Sequence, residues 1–203
     1  YRAALLPFFR PKAIKKLTPK IRAFTIQCID KFISRGQCDL VTELANPVPS
    51  MTALEFIGFD PADWYDFAGP LHQMSYSADG SEARVKALQE IADMDEVITA
   101  AIAERRRKPK DDAITSLVKY RASGVAFTEE ELHGLVKMLL FGGLDTTMAA
   151  ASNAFLYLSQ HPDDRQRLID EPQLIPAAVE ELLRHEAPVH AFARNVMADT
   201  EIG

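Results

Sequence analysis

Cysteine is scarce in this 203-residue sequence: Cys28 and Cys38 are the only two, too few for a disulfide framework or, alone, for a zinc site. Long uncharged apolar runs are absent, which excludes a helical membrane span. No secretory leader opens the chain, so a soluble, cytoplasmic protein is expected. Internal repeats and low-complexity tracts are missing, and no convincing strand pattern occurs before Asn195-Val196. An excess of positive charge is missing too. The formal net charge of −6 argues against general nucleic-acid binding.

What is present suffices for an ordinary core. Hydrophobic residues make up 47% and charged residues 26%, a balance that excludes disorder and fits one domain or a two-lobed one. The charge is unevenly spread. Arg2, Arg10, Lys12, Lys15, Lys16, Lys20 and Arg22 all precede the first acid, Asp30; removing these seven from a total of −6 leaves −13 on the remainder. A basic surface on an acidic body is expected.

The patterning is mainly α. From Lys12, Ile14, Leu17, Ile21, Phe24, Cys28 and Phe32 step by three or four, with Thr18-Pro19 either kinking or restarting the helix and Gly36 ending it. Further helices are predicted from about Pro49 to Gly58, after an Asp60 cap, and through Val85, Leu88, Ile91, Ile98 and Ile102. The last of these ends in Arg105-Arg106-Arg107-Lys108-Pro109, read as a solvated helix end because cations suit a C-terminus. A short helix from Asp112 is closed by Gly124. Thr128 and Glu131 form a capping box. The helix they start is predicted to reach His161-Pro162, about 33 residues or roughly 50 Å, and to cross the middle of the fold. Two shorter helices follow, from Pro162 and from Pro176, the second ending before Pro188.

The centre of the long helix holds Gly142-Gly143-Leu144-Asp145-Thr146-Thr147. Each glycine costs about 1 kcal/mol there relative to alanine. Helical side chains lean toward the N-terminus, so Thr146 lies over the turn carrying Gly142 and Gly143, leaving a bare notch beside a hydroxyl. That hydroxyl can bond the Gly142 carbonyl and loosen the ladder. Asp145 lies about 100° further round, so an acid and a hydroxyl flank one groove, an arrangement suited to delivering protons. Glycine and alanine clusters also let two helices cross closely, and Ala149-Ala150-Ala151 follow. Met138 and Phe141, just upstream, are core residues by default.

Glu181 and Arg184 have ion-pair spacing on a short helix, but so do Glu104 and Arg107. What distinguishes the first pair is its context, Ala187-Pro188-Val189 and then Arg194, a second arginine able to reach an anion. His185 and His190 are too few for a metal cluster, and His72, His133 and His161 are scattered. No metal-ligating set is assigned.

Taken in order, the Gly-Gly-Leu-Asp-Thr-Thr helix, His161-Pro-Asp-Asp, Pro176-Ala-Ala-Val-Glu-Glu-Leu-Leu-Arg184 and the arginine after a Pro-Val loop resemble the cytochrome P450 family. The likeness is to its soluble bacterial class, the camphor-hydroxylating branch in particular, and covers essentially the whole chain. Gly36-Gln37-Cys38, Lys108-Pro109 ahead of Asp112-Ala113-Ile114, and Arg165-Gln-Arg-Leu-Ile169 fit as well. The resemblance implies a haem monooxygenase acting on a small apolar organic substrate, with an iron–sulfur ferredoxin as electron donor. It implies an acid–alcohol pair for proton delivery at Asp145 and Thr146, an oxygen-side groove at Gly142 and Gly143, and substrate contacts at Met138 and Phe141. It further implies haem-propionate partners at Arg2 and Arg194, and a buried structural ion pair between Glu181 and Arg184.

The sequence departs from the family in three ways. The family's haem-ligating cysteine lies in a Phe-x-x-Gly-rich loop downstream of the Glu-x-x-Arg helix, and neither Cys28 nor Cys38 has that context. The chain opens at Tyr1-Arg2 and stops at Ile202-Gly203 without a cap at either end, so residues 1–203 are expected to be one truncated domain, the central segment of the fold with most of its sheet missing. Such a piece is expected to lack an axial ligand and to self-associate through uncovered apolar surface. Finally, Gln73-Met74 is followed by Ser75-Tyr76 where a basic partner for the helix acid is expected, so Asp145 needs another partner. The competing readings are a catalytically inactive fragment and an all-helical ligand-binding module.

Overall fold

The computed structural model describes residues 1–191, 193 and 196–201. These form two compact units, residues 1–152 and 153–203. The chain is mainly helical, as the sequence predicts.

The first unit opens with α1 (Arg2–Leu5) and α2 (Pro11–Asp30). Pro11 sits in the first turn, where a missing N–H is harmless, and α2 is a single element across Thr18-Pro19. It stops before Gly36, which instead closes a separate 3-10 turn at Ile33–Arg35 with φ of 67°. After a π turn at Val41–Ala45 comes α3 (Pro47–Ile57), ended by Gly58 at φ 116°. The Asp60 carboxylate accepts from the Ala62 N–H (2.9 Å) and opens a 3-10 turn ahead of α4 (Trp64–Tyr76). Ser81 caps α5 (Glu82–Arg107), and Asp112 caps α6 (Ala113–Lys119) through the Thr115 N–H at 2.7 Å.

Gly124 does not close a helix. With Ser123 it forms the positive-φ turn of a hairpin, β1 (Arg121–Ala122) and β2 (Val125–Ala126), antiparallel with Arg121 opposite Ala126. Two-residue strands are too short to show alternation, which is why no strand was predicted here. The capping box is present: the Glu131 N–H donates to Thr128 Oγ1 at 3.2 Å and the Thr128 N–H to Glu131 Oε2 at 2.8 Å. The helix it starts is not continuous. It is divided into α7 (Glu129–Leu144) and α8 (Thr146–Gln160), interrupted at Asp145.

The core of this unit is built from one face of each helix. Leu54 and Ile57 on α3, Ile98 and Ile102 on α5, Ile114 and Leu117 on α6, and Leu132, Leu140 and Leu144 on α7 are all essentially sealed from solvent. Each such side chain contributes about 1.5–3 kcal/mol on burial. On α5 the buried stripe is Ala87, Ile91, Met94, Ile98 and Ile102; Val85 and Leu88, expected on it, face out. The basic end of α5 also departs from expectation. Arg105 is buried, its Nε 2.6 Å from Asp112 Oδ2, and it also bonds Glu104 and the Gly58 carbonyl. Gly58 makes room for this clamp, because a Cβ there would strike the Asp112 carboxylate.

The second unit holds the end of α8, then α9 (Pro162–Asp170), a 3-10 turn at Pro172–Leu174 and α10 (Ile175–His185). None of its described residues is buried. Leu158, Leu168, Leu174 and Leu182 are half-buried around one shallow groove, beside which Tyr157 donates to Asp164 Oδ2 at 2.8 Å and stacks on His161 with centroids 4.0 Å apart. Among the described residues no helix is long and apolar enough to cross a membrane.

Candidate functional site

The interruption between α7 and α8 is built by the residues that the sequence singles out. Thr146 Oγ1 donates to the Gly142 carbonyl at 2.9 Å, the back-bond anticipated from their spacing. The two glycines, expected to line one notch together, have different surroundings. A Cβ at Gly142 would meet nothing within 4 Å, so this position borders open space. A Cβ at Gly143 would come within 2.7 Å of the Ala53 Cβ, so here the missing side chain lets α7 and α3 cross closely. The notch and the helix crossing are both present, one residue apart.

Asp145 turns toward α4. Its Oδ1 lies 3.5 Å from His72 Nε2, and both atoms are buried without a hydrogen-bond partner among the described residues. On the other side of the ring, the Asn46 side-chain amide lies 3.2 Å from His72 Nδ1. Burial holds the His72 pKa below the ordinary histidine value, partly opposed by the Asp145 charge. Sequence reasoning missed this histidine. The one available signal was negative, the absence of a basic residue after Gln73-Met74, and it pointed to no replacement.

Upstream on α7, Met138 is half exposed, so it is not a core residue. Phe141 is partly buried against the core, with Lys137 Nζ 5.7 Å from its ring centroid. Arg2 is exposed on α1. Arg194 lies outside the described residues. Glu181 and Arg184 form a two-pronged pair, with Arg184 nitrogens 2.8 and 2.6 Å from the two carboxylate oxygens. The pair is exposed among the described residues, where the resemblance implies a buried one. Arg184 holds the Glu181 carboxyl below its ordinary value.

The sequence profile described as Cytochrome P450 matches residues 76–203, which include both halves of the interrupted helix and α10. The chain belongs to the cytochrome P450 family. Among curated P450 relatives, cytochrome P450 130 of Mycobacterium tuberculosis is 34% identical over 201 residues, covering 96% of this chain and 49% of that protein. Linalool 8-monooxygenase of Pseudomonas putida is 29% identical, covering 100% of this chain and 50% of its own length. The crystal structure of HmtN, a post-tailoring hydroxylase involved in himastatin biosynthesis, superposes with a TM-score of 0.84 at 29% identity, covering 99% of this chain and 52% of that one. The chain thus spans about half the length of the P450 proteins it matches, and its helical architecture is the mainly α central part of the P450 fold.

Family membership implies haem in the whole protein. Gly142 leaves open space beside the Thr146 hydroxyl, so the residues present there do not obstruct such a group. Cys28 is buried in α2, and burial pushes its thiol pKa up, against thiolate formation. Cys38 is exposed in the connection after Gly36.

Proposed function

We propose that this chain is the central segment of a haem-thiolate monooxygenase. The whole enzyme would place one atom of dioxygen into a small apolar substrate, with electrons from NAD(P)H passed through an iron–sulfur ferredoxin. Such a reaction consumes two electrons and two protons for each hydroxyl group formed, the second oxygen atom leaving as water. Haem supplies the oxygen chemistry when bound; the residues of this chain govern space and protons.

The observation that carries the reading is the interruption at Asp145. An acid, a hydroxyl and an open glycine position meet where the helix ladder is broken, a costly arrangement for packing alone. Asp145 and Thr146 guide protons into the space at Gly142. Thr146 is held in place by its bond to the Gly142 carbonyl, which fixes the hydroxyl at the groove. Gly143 serves the crossing with α3. Met138, half exposed, and Phe141 form an apolar wall for substrate one turn along α7. Arg2 and Arg194 would hold the carboxylates of the bound haem, and Glu181–Arg184 steadies α10. Lys12, Lys15, Lys16 and Arg22 on α2 make a basic surface suited to an acidic electron carrier, while Lys20 on the same helix is paired with Glu55.

The test is the Soret band of the carbon monoxide complex of reduced haem. The whole protein is expected to give the strongly red-shifted thiolate-type band, and this segment by itself an unshifted band or none. A red-shifted band from the segment would mean that Cys28 or Cys38 ligates iron after all. An unshifted band from the whole protein would overturn the assignment.

A further inference from the structure

We propose that His72 is a positioning residue for Asp145: a neutral imidazole, locked in one tautomer, that holds the carboxylate toward α4 and so controls its access to Thr146. The inference rests on the reading of Asp145 and Thr146 given above.

The tautomer follows from a chain of contacts that starts in the core. Ser50 is fully buried, and its hydroxyl must donate; its recorded side-chain acceptor is Asn46 Oδ1 at 3.2 Å. That fixes the Asn46 amide with its NH2 group toward His72, 3.2 Å from Nδ1. An amide NH2 can only donate, so Nδ1 accepts and the single proton of the neutral ring sits on Nε2. Nε2 in turn faces Asp145 Oδ1 across 3.5 Å. This is longer than an ordinary N–H···O bond, yet each atom is buried without another partner. A small rotation of either side chain closes the gap.

The same contacts exclude a relay through the ring. Loss of the Nε2 proton from a neutral imidazole would leave an imidazolate, and Nδ1 faces an amide NH2, far too weak an acid to pass a proton on. His72 is therefore a latch, and the protons that Asp145 handles arrive from its other side. Its surroundings contain few other polar groups. It meets Asn46 from the turn before α3, Asp145 from the α7–α8 interruption, and Tyr76 on its own helix, ring centroids 6.5 Å apart. α5 also packs on α4, but among the described residues it gives His72 no recorded ionic or hydrogen-bonded contact.

Nitrogen-15 NMR of histidine-labelled chain tests the geometry without haem. His72 is expected as the Nε2–H tautomer at neutral pH, and Asp145→Asn is expected to shift its titration to lower pH by removing the charge that favours the imidazolium. An Nδ1–H tautomer, or a titration indifferent to Asp145→Asn in a variant that retains its helical circular dichroism, would overturn the proposal. The second test uses the rate of product formation in the haem-loaded protein. Asp145→Asn is expected to lower it about 100-fold, the smaller end for a positioned proton donor. His72→Ala is expected to lower it about 12-fold, the low end for a hydrogen bond to a charged group. His72→Gln, which returns an N–H donor near Nε2, is expected to restore it and flatten its dependence on pH below neutrality. If Asp145→Asn has no effect, the acid–alcohol reading fails. If Asp145→Asn acts while His72→Ala does not, or His72→Gln fails to rescue, that reading stands and the role of His72 is refuted.

Discussion

The two units use equally helical sequences to different ends. In residues 1–152, the apolar stripes of α3, α5, α6 and α7 meet one another and seal a core. In residues 153–203, α10 carries a clear apolar stripe, yet Ile175, Val179 and Leu183 on it are each more than 40% exposed. Periodicity makes a helix amphipathic; only a neighbour makes its stripe a core. Within the second unit, Leu158, Leu168, Leu174 and Leu182 are half-buried around one shallow groove, and the Tyr157–Asp164 and Glu181–Arg184 contacts lie at its surface.

Arg105→Ala is expected to sharpen this contrast most. It would strand the buried Asp112 carboxylate and destabilise the first unit by about 3–5 kcal/mol. Leu140→Ala should cost about 2–5 kcal/mol by opening a cavity, whereas Leu183→Ala should stay within about 0.5 kcal/mol. Denaturant unfolding checks both. Equal losses at Leu140 and Leu183 would break the comparison.

The adjacent glycines give a finer version. Gly143→Ala should cost about 1–3 kcal/mol through collision with Ala53. Gly142→Ala should gain up to about 1 kcal/mol of helix propensity, while filling the space beside Thr146. Thermal melts of the two variants should therefore move in opposite directions.

Thr128→Ala should cost about 1 kcal/mol by removing half of the capping box. The smallest effect is expected at Glu181, whose carboxyl is held below its ordinary value by Arg184. Its contribution is complete above the unfolded glutamate pKa and is lost as pH falls through the lowered folded value. An NMR pH titration of Glu181, repeated in Arg184→Ala, should show the midpoint return upward.

Much of the site was legible before the fold was known, because its chemistry is local. Thr146 and Gly142 are four residues apart, and that spacing alone puts the hydroxyl over the carbonyl. Other relations depend on elements far apart in sequence. His72 and Asp145 are 73 positions apart and meet because α4 packs against α7. Gly142 and Gly143 read alike in sequence, and only the passage of Ala53 beside one of them separates their roles. Arg105 read as one of four basic residues at a helix end; the bend at Gly58 and the cap at Asp112 bury it.

By itself, the sequence determined the helical class, the caps at Asp60 and Thr128, the helix start at Asp112 and the weak point at the centre of the long helix, all of which rest on interactions within a few residues. Only the tertiary structure decided which apolar stripes are covered, which arginine is buried and which histidine faces Asp145. Those outcomes depend on which helix faces meet, and burial strengthens a charge pair or isolates a polar atom only after they have met.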